Sequence, residues 1–431
     1  METVNNLGHL VINGADTTNL IKEYGSPLYV IDQSIIEDRC NELKRIMAKY
    51  FSRYRIMYAS KALNTMAILK LVNNLGLGID TVSGGELYTA LKTNINPNFI
   101  ELHGNGKTLE ELKMAITNNI YSIIVDNFAE LELIAEIAKK EQKEVFVSIR
   151  LRPNIDVHTN KKVKTAILDC KFGFTFDEAI EVIKIIQKNK FIKLRGLHCH
   201  LGSQIFDRKP YTLLIKTLMD FSLKIKQELG VIIEELNCGG GFGVKYLESD
   251  PFINVEDFIR EMSNTLTELC HKNNYPIPSI TIEPGRFIIG NAGYTLYTVN
   301  ALKEIKGIRN YCMVDGGMFE NIRPMLYEAK YHLDCASRMT SKHDTLYTIA
   351  GRCCETGDLI AKDILLPKLE VGDLLVCYTT GAYGYSMASH YNRNLIPGMV
   401  LVNKGKAQII IKRESFADLI KNDIIPEDIC F

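Results

Sequence analysis

The sequence predicts an α/β chain: a (β/α)8 TIM-type barrel with a C-terminal, mostly-β domain of barrel or sandwich type. Three observations carry this. From about Arg53 to Gly285, short apolar runs alternate with longer segments of helical period. Polar residues and glycines gather at the C-terminal ends of those runs, where a barrel keeps its active site. After Gly290 the texture changes to β-like runs separated by Gly, Asn and Asp.

The barrel strands follow in order. They are "RIMYASK" (Arg55–Lys61), "GIDTVS" (Gly78–Ser83), "FIELHG" (Phe99–Gly104), "YSIIVD" (Tyr121–Asp126), "VFVSIRLR" (Val145–Arg152), "LRGLHCHLG" (Leu194–Gly202), "EELNCGGG" (Glu234–Gly241) and "SITIEPG" (Ser279–Gly285). Between them, stretches such as "NTMAILKLVNNLG" and "NFAELELIAEIAKKEQK" repeat leucine and isoleucine at helical spacing. Eight such units over roughly 230 residues suit a closed barrel. A doubly wound open sheet is the alternative, but its glycine-rich turn after the first strand is missing. Lys61, Asp80, His103, Arg150, His200, Gly239–Gly241 and Glu283 fall at the rim.

The β runs after the barrel are "YTLYTVNALKEI", "YCMVDGGMF", "DTLYTIAG", "DLLVCYTTGAYG", "MVLVNKG" and "AQIIIKR". An early run, "PLYVID", precedes the barrel and is expected to join them. The expected division is therefore a barrel domain at 35–290 and a discontinuous β domain from 1–34 and 291–431.

Composition excludes several classes. The formal net charge is zero, which argues against a nucleic-acid footprint. No apolar run has membrane-spanning length, and the N-terminal segment lacks the pattern of a signal peptide. Eleven scattered cysteines without a C-x-x-C predict a reduced cytoplasmic protein and no structural zinc.

Lys61 at a strand end is either a solvated rim lysine or a Schiff-base lysine. Its companions decide. "GGGFG" (Gly239–Gly243) and "EPGR" (Glu283–Arg286) follow the last two strands, where TIM-type barrels often bind phosphate. A lysine with a phosphate cup points to pyridoxal 5'-phosphate. Glu283 can pair with the pyridine nitrogen, and His200 of "HCHLGS" is placed to stack on the ring. A racemase would need a weaker electron sink than Glu283 provides. His198 and His200 alternate and are expected on one face of the strand.

Together "YASKA", "HGNGK", "KFG", "HCHLGSQ", "GGGFG", "EPGR", "IRPMLY", "CCETGD" and "GAYGYSM" run in an order that resembles the fold-type III pyridoxal-phosphate-dependent decarboxylases. The resemblance spans nearly the whole chain, from "PLYVID" to "MASHYNRN". It implies an alanine-racemase-like barrel with a β domain, and a cofactor joined to Lys61. His200 would stack on the ring and Glu283 would meet its nitrogen. Gly240, Gly241, Gly285 and Arg286 would hold the phosphate, with Asp80, Ser203 and Tyr383 as further cofactor contacts. Arg286, Arg323, Tyr327, Glu355 and Tyr383 would bind substrate. Cys354 would reach the neighbouring subunit's site, which makes a homodimer the smallest active unit. Either Cys354 or Lys61 would deliver the proton to Cα. Cys353 is left as a packed, reduced thiol.

Within that family, Glu355 stands where ornithine-type enzymes carry aspartate. Arg323 suits a carboxylate better than an amine end. The resemblance then implies meso-2,6-diaminopimelate as substrate and L-lysine as product. The alternatives are a paralogue acting on another amino acid and a non-catalytic relative. The presence of Lys61 and Cys354 argues against the second. The chain departs from the family pattern at "SKALN", at "HTNKKVKTAILDCKFG" and at "HYN".

Overall fold

The computed structural model describes residues 2–155 and 169–429. The chain divides into two compact units, one from Ile36–Lys245 and Asp250–Ile288, the other from Met1–Ile35, Tyr246–Ser249 and Ile289–Phe431. The stretch Tyr246–Ser249 goes with the β unit, although chain order sets it within the barrel segment.

In the first unit the eight predicted runs become eight strands: Tyr54–Ala59, Gly78–Thr81, Ile100–Leu102, Ser122–Val125, Val145–Arg150, Ile192–His198, Glu235–Asn237 and Ser279–Ile282. All pair in parallel and in chain order. The eighth returns to the first through Ile280↔Tyr54 and Ile282↔Ile56, which closes the barrel. Closure leaves no sheet edge to protect. Several strands are buried along their whole length, which is why they read as unbroken apolar runs.

The intervening helices start where the sequence supplies caps. Thr108 with Glu111 and Thr175 with Glu178 form reciprocal capping boxes, and Ser83 and Asn127 cap the helices that follow them. The helix Phe176–Lys188 buries Ala179, Ile180, Val182, Ile183 and Ile186, a stripe at three- and four-residue spacing. Each fully buried Leu or Ile of this kind contributes on the order of 1.5–3 kcal/mol.

In the second unit Leu28–Asp32, the strand of "PLYVID", is buried throughout. It lies between Gly293–Ile305, antiparallel, and Gly398–Asn403, parallel. The expected recruitment of this N-terminal run into the β domain is therefore seen in the ladder. Leu10, Ile12, Leu20, Val30, Leu296, Val376 and Val400 pack into one core cluster. A three-stranded sheet, Glu2–Val4, Leu10–Ile12 and Ala15–Asp16, lies ahead of this strand in the chain. No helix among the described residues is long and apolar enough to cross a membrane.

Candidate active site

The first barrel strand ends at Ala59, and a single 3-10 turn, Ser60–Ala62, sets Lys61 just past the C-terminal rim. Three acids, two of them expected at the rim from sequence, surround its charge. Asp80 is on the second strand, Glu283 follows the eighth, and Glu86 comes from the helix Gly84–Lys92. Burial raises all three carboxyls, and the Lys61 ammonium pulls them back down. Asp80 stays well above the carboxylate range, through burial and then through the nearby charge of Glu283. Its Oδ1 is buried with no hydrogen-bond partner among the described residues.

Glu283 is the hub. Its Oε1 accepts a hydrogen bond from Asn237 Nδ2 at 2.7 Å, with His103 Nε2 at 3.2 Å and His198 Nε2 at 3.3 Å. Burial pushes the carboxyl up to about 7, while Lys61, Asn237 and Arg150 hold it down. Burial also drives His103 and His198 well below the imidazole range, helped by Arg150 and Lys61. Both rings are therefore neutral, and the Nε2–H tautomer is the one that can donate to Glu283. His103, His198 and Glu283 offer ligand atoms within 4.8 Å of one another, a spacing that also suits a cation.

The sixth strand stops at His198, so its alternation does not extend to His200. The expectation that both histidines share a strand face is corrected accordingly. His198 turns to Glu283, whereas His200 Nδ1 accepts the Gly240 N–H at 3.2 Å. Burial and the charge of Lys61 keep His200 neutral as well.

Gly239–Gly241 form a cradle that tolerates no side chain. Gly239 and Gly241 have φ of +65° and +104°, the left-handed region favoured by glycine. A Cβ on Gly240 would stand 2.0 Å from the Glu283 carbonyl oxygen, and one on Gly241 2.4 Å from that of Gly202. Across from them Gly285 packs on Ala59, and Arg286 donates to Ser203 Oγ from Nε at 3.3 Å and Nη2 at 3.1 Å. Bare glycine backbone beside a pinned guanidinium suits a phosphate, and the buried Asp80 Oδ1, 3.6 Å from His103 Nε2 but with no hydrogen bond among the described residues, suits a polar ring. These residues fit pyridoxal phosphate.

In the β unit, Arg323, Tyr327 and Tyr383 come together. The Arg323 guanidinium is buried, donates to Tyr246 Oη at 2.8 Å, and lies 5.4–5.9 Å from the rings of Tyr246, Tyr327, Tyr331 and Tyr383. Tyr383 holds φ of +62°, a costly backbone for a bulky residue and a frequent mark of functional loops. Cys354 and Glu355 sit in a turn anchored by Asp358, which accepts the N–H groups of Met318 and Cys353. Cys354 is exposed on the single chain, and its N–H reaches Asn392 Oδ1 at 2.7 Å. Tyr391 donates to Glu355 at 3.2 Å. The "HYN" departure is thus part of this turn. Cys353 is buried, and that pushes its thiol up to about 11.

Sequence reasoning missed Asn237, Glu86, Tyr246 and Tyr331, and gave His198 no role beyond sharing a strand face with His200. His198 and Asn237 carried a signal, as polar residues ending apolar strands. Tyr246 carried none, being remote in sequence from "IRPMLY", whereas Tyr331 lies only four residues beyond it. Of the departures from the family pattern, "HTNKKVKTAIL" (158–168) lies outside the described residues. The lysine of "HGNGK" is structural: Lys107 donates to Gly104 O, Ile124 O and Glu130 at 2.7–2.8 Å.

Residues 34–290 match the family described as pyridoxal-dependent decarboxylase, pyridoxal binding domain. A diaminopimelate decarboxylase of Bacillus subtilis is 40% identical over 97% of this chain and 96% of its own length. The diaminopimelate decarboxylase of M. jannaschii has a crystal structure similar to this one, with a TM-score of 0.93 at 35% identity, covering 100% of this chain and 99% of that one; it was also solved with L-lysine. A lysine/ornithine decarboxylase of Vibrio vulnificus shares the fold, with a TM-score of 0.77 at 22% identity over 90% of this chain and 97% of that one. The matching family, the relatives and the site geometry agree: the chain belongs to the pyridoxal-dependent decarboxylases.

Proposed function

We propose that the chain removes one carboxyl group of meso-2,6-diaminopimelate as CO2 and leaves L-lysine, the last step of lysine biosynthesis, using pyridoxal 5'-phosphate. The observation that carries the chemistry is Glu283, buried among Asn237, His103 and His198 beside the charge of Lys61. The substrate rests on relatives that carry that activity in their names over nearly the whole chain.

When bound, the cofactor supplies a carbonyl for the substrate amine and a ring that withdraws electrons from Cα as the carboxylate leaves. The chain's residues do the rest. Lys61 is the amine that would hold the cofactor. Glu283, with its carboxyl near neutrality, holds a proton at the ring nitrogen. Asn237 fixes the carboxyl plane by donating to Oε1. Gly240, Gly241, Gly285, Arg286 and Ser203 take the phosphate, and His200 and Asp80 flank the ring. Arg323 and Tyr327 clamp a substrate carboxylate, which a planar guanidinium grips at two points. Tyr383 and Glu355 complete the substrate contacts.

Cys354 gives the proton to Cα in the site of a partner subunit, so the working unit is a homodimer. The exposure of Cys354 on the single chain supports this. Residues 35–290 form the cofactor-binding domain, and 1–34 with 291–431 the β domain. Ten described cysteines are free thiols, which supports a reducing, cytoplasmic setting.

Borohydride reduction of the purified protein followed by peptide mapping tests the cofactor assignment. Pyridoxyl label on the peptide containing Lys61 is expected. Label elsewhere, or none after addition of the cofactor, refutes it.

A further inference from the structure

The barrel has a second mouth that this chemistry does not use. At the N-terminal ends of the strands, opposite the rim of Lys61, lies a cavity of about 580 Å³. Its lining is cationic: Lys44, Arg53, Arg55 and Arg195 outnumber the carboxylates, Glu234 and Glu235. Small-molecule sites are commonly of this size.

Two of these cations are held in place by an aromatic face. The guanidinium carbons of Arg55 and Arg195 stack 3.7 Å and 3.9 Å from the centroid of the Tyr121 ring. Stacking orients a guanidinium but leaves its N–H donors unspent. The Arg195 Nε is buried with no acceptor among the described residues. Glu235, an acid of the lining, accepts the Tyr121 hydroxyl at 2.6 Å with one oxygen, and the charges of Arg195 and Arg55 partly offset the effect of its burial. Burial also raises its carboxyl, which weakens it as a counter-charge.

The backbone adds a second, independent sign. In the ladder between the fifth and sixth strands, Leu194 pairs with Val147 and Gly196 with the next residue, Ser148. Arg195 is thus the extra residue of a β-bulge. Bulges break the ladder to re-aim a side chain, and they gather near functional sites. Within the sixth strand, the interruption falls on the arginine that lines the cavity.

We infer that this mouth is a binding site for a small multivalent anion, a phosphate or a polycarboxylate, with Arg55 and Arg195 as its principal ligands. Lys44 and Arg53 supply the outer field. Each already donates to a backbone carbonyl, of Leu75 and Ile277 respectively, so they frame the site and the stacked pair grips the anion.

The test is calorimetric titration of the holoenzyme with inorganic phosphate and, separately, with citrate, at ionic strength held constant with chloride. Saturable binding of one anion per chain is expected. Arg55→Gln and Arg195→Gln should each weaken it by about tenfold or more, the scale of a lost charge-assisted contact, with decarboxylation unchanged. Saturation by phosphate alone assigns a phosphate ligand, and by citrate alone a carboxylate. No saturable binding of either, or binding unaltered in both variants, overturns the proposal. If the variants fail to fold, an arginine-directed dicarbonyl reagent on the wild-type holoenzyme decides. The anion should protect Arg55 and Arg195, and equal labelling with and without it also overturns the proposal.

Discussion

At the residue scale the proposed chemistry turns on Glu283 and the groups around it. Lys61→Ala should lower turnover by at least about 1,000-fold, because Lys61 is the amine proposed to hold the cofactor covalently; steady-state CO2 release measures it. Asn237→Leu should lower kcat by about tenfold to a hundredfold with little change in KM. That is the size of a lost hydrogen bond to a charged group, here the one that orients Glu283. Glu283 also couples folding to pH. Its folded carboxyl, at about 7, sits above the ordinary carboxylate range because of burial. Across that window the folded chain keeps a proton that the unfolded chain has released, so stability falls as pH rises. In cofactor-free protein, Glu283→Gln should therefore melt higher than wild type at pH 8, and the gap should shrink toward pH 5. Thermal melts across pH check this. Lys61, His200 and Glu283 were legible in the sequence because they end apolar strands. Tyr246 was not, because only the fold brings it to Arg323.

Elements place those residues, and most were legible for physical reasons. Each barrel strand was a compact apolar run, because a strand buried on both faces has no polar alternation to dilute it. The strands Glu2–Val4 and Leu333–Cys335 were missed because three residues carry no usable period. Leu359–Leu366 was missed for another reason: its exposed residues include Lys362 and Asp363, so it does not read as apolar. The glycine loop makes a prediction at this scale. A Cβ on Gly240 would meet the Glu283 carbonyl at 2.0 Å, so Gly240→Ala must shift one loop against the other. The expected cost is about 1–3 kcal/mol of stability together with weaker cofactor binding. Melting and titration with pyridoxal phosphate read the two separately.

For the whole molecule, the chain begins in the β unit, builds the barrel and returns to the β unit. The strand Leu28–Asp32 ties the two ends of that path into one sheet. Its sequence is a short apolar run ahead of the barrel strands; the membership of Tyr246–Ser249 was not legible, because four residues leave no compositional trace. The proposed sharing of Cys354 between subunits predicts complementation. Mixing inactive Lys61→Ala with inactive Cys354→Ala protein should restore some activity as subunits exchange, and no recovery despite proven exchange would remove Cys354 from the partner's site. The central claim, decarboxylation of diaminopimelate, is tested most directly by CO2 release from meso-2,6-diaminopimelate beside L-ornithine, L-lysine and L-arginine. The account predicts turnover of diaminopimelate to L-lysine and none of the other three; turnover of ornithine with none of diaminopimelate would contradict it.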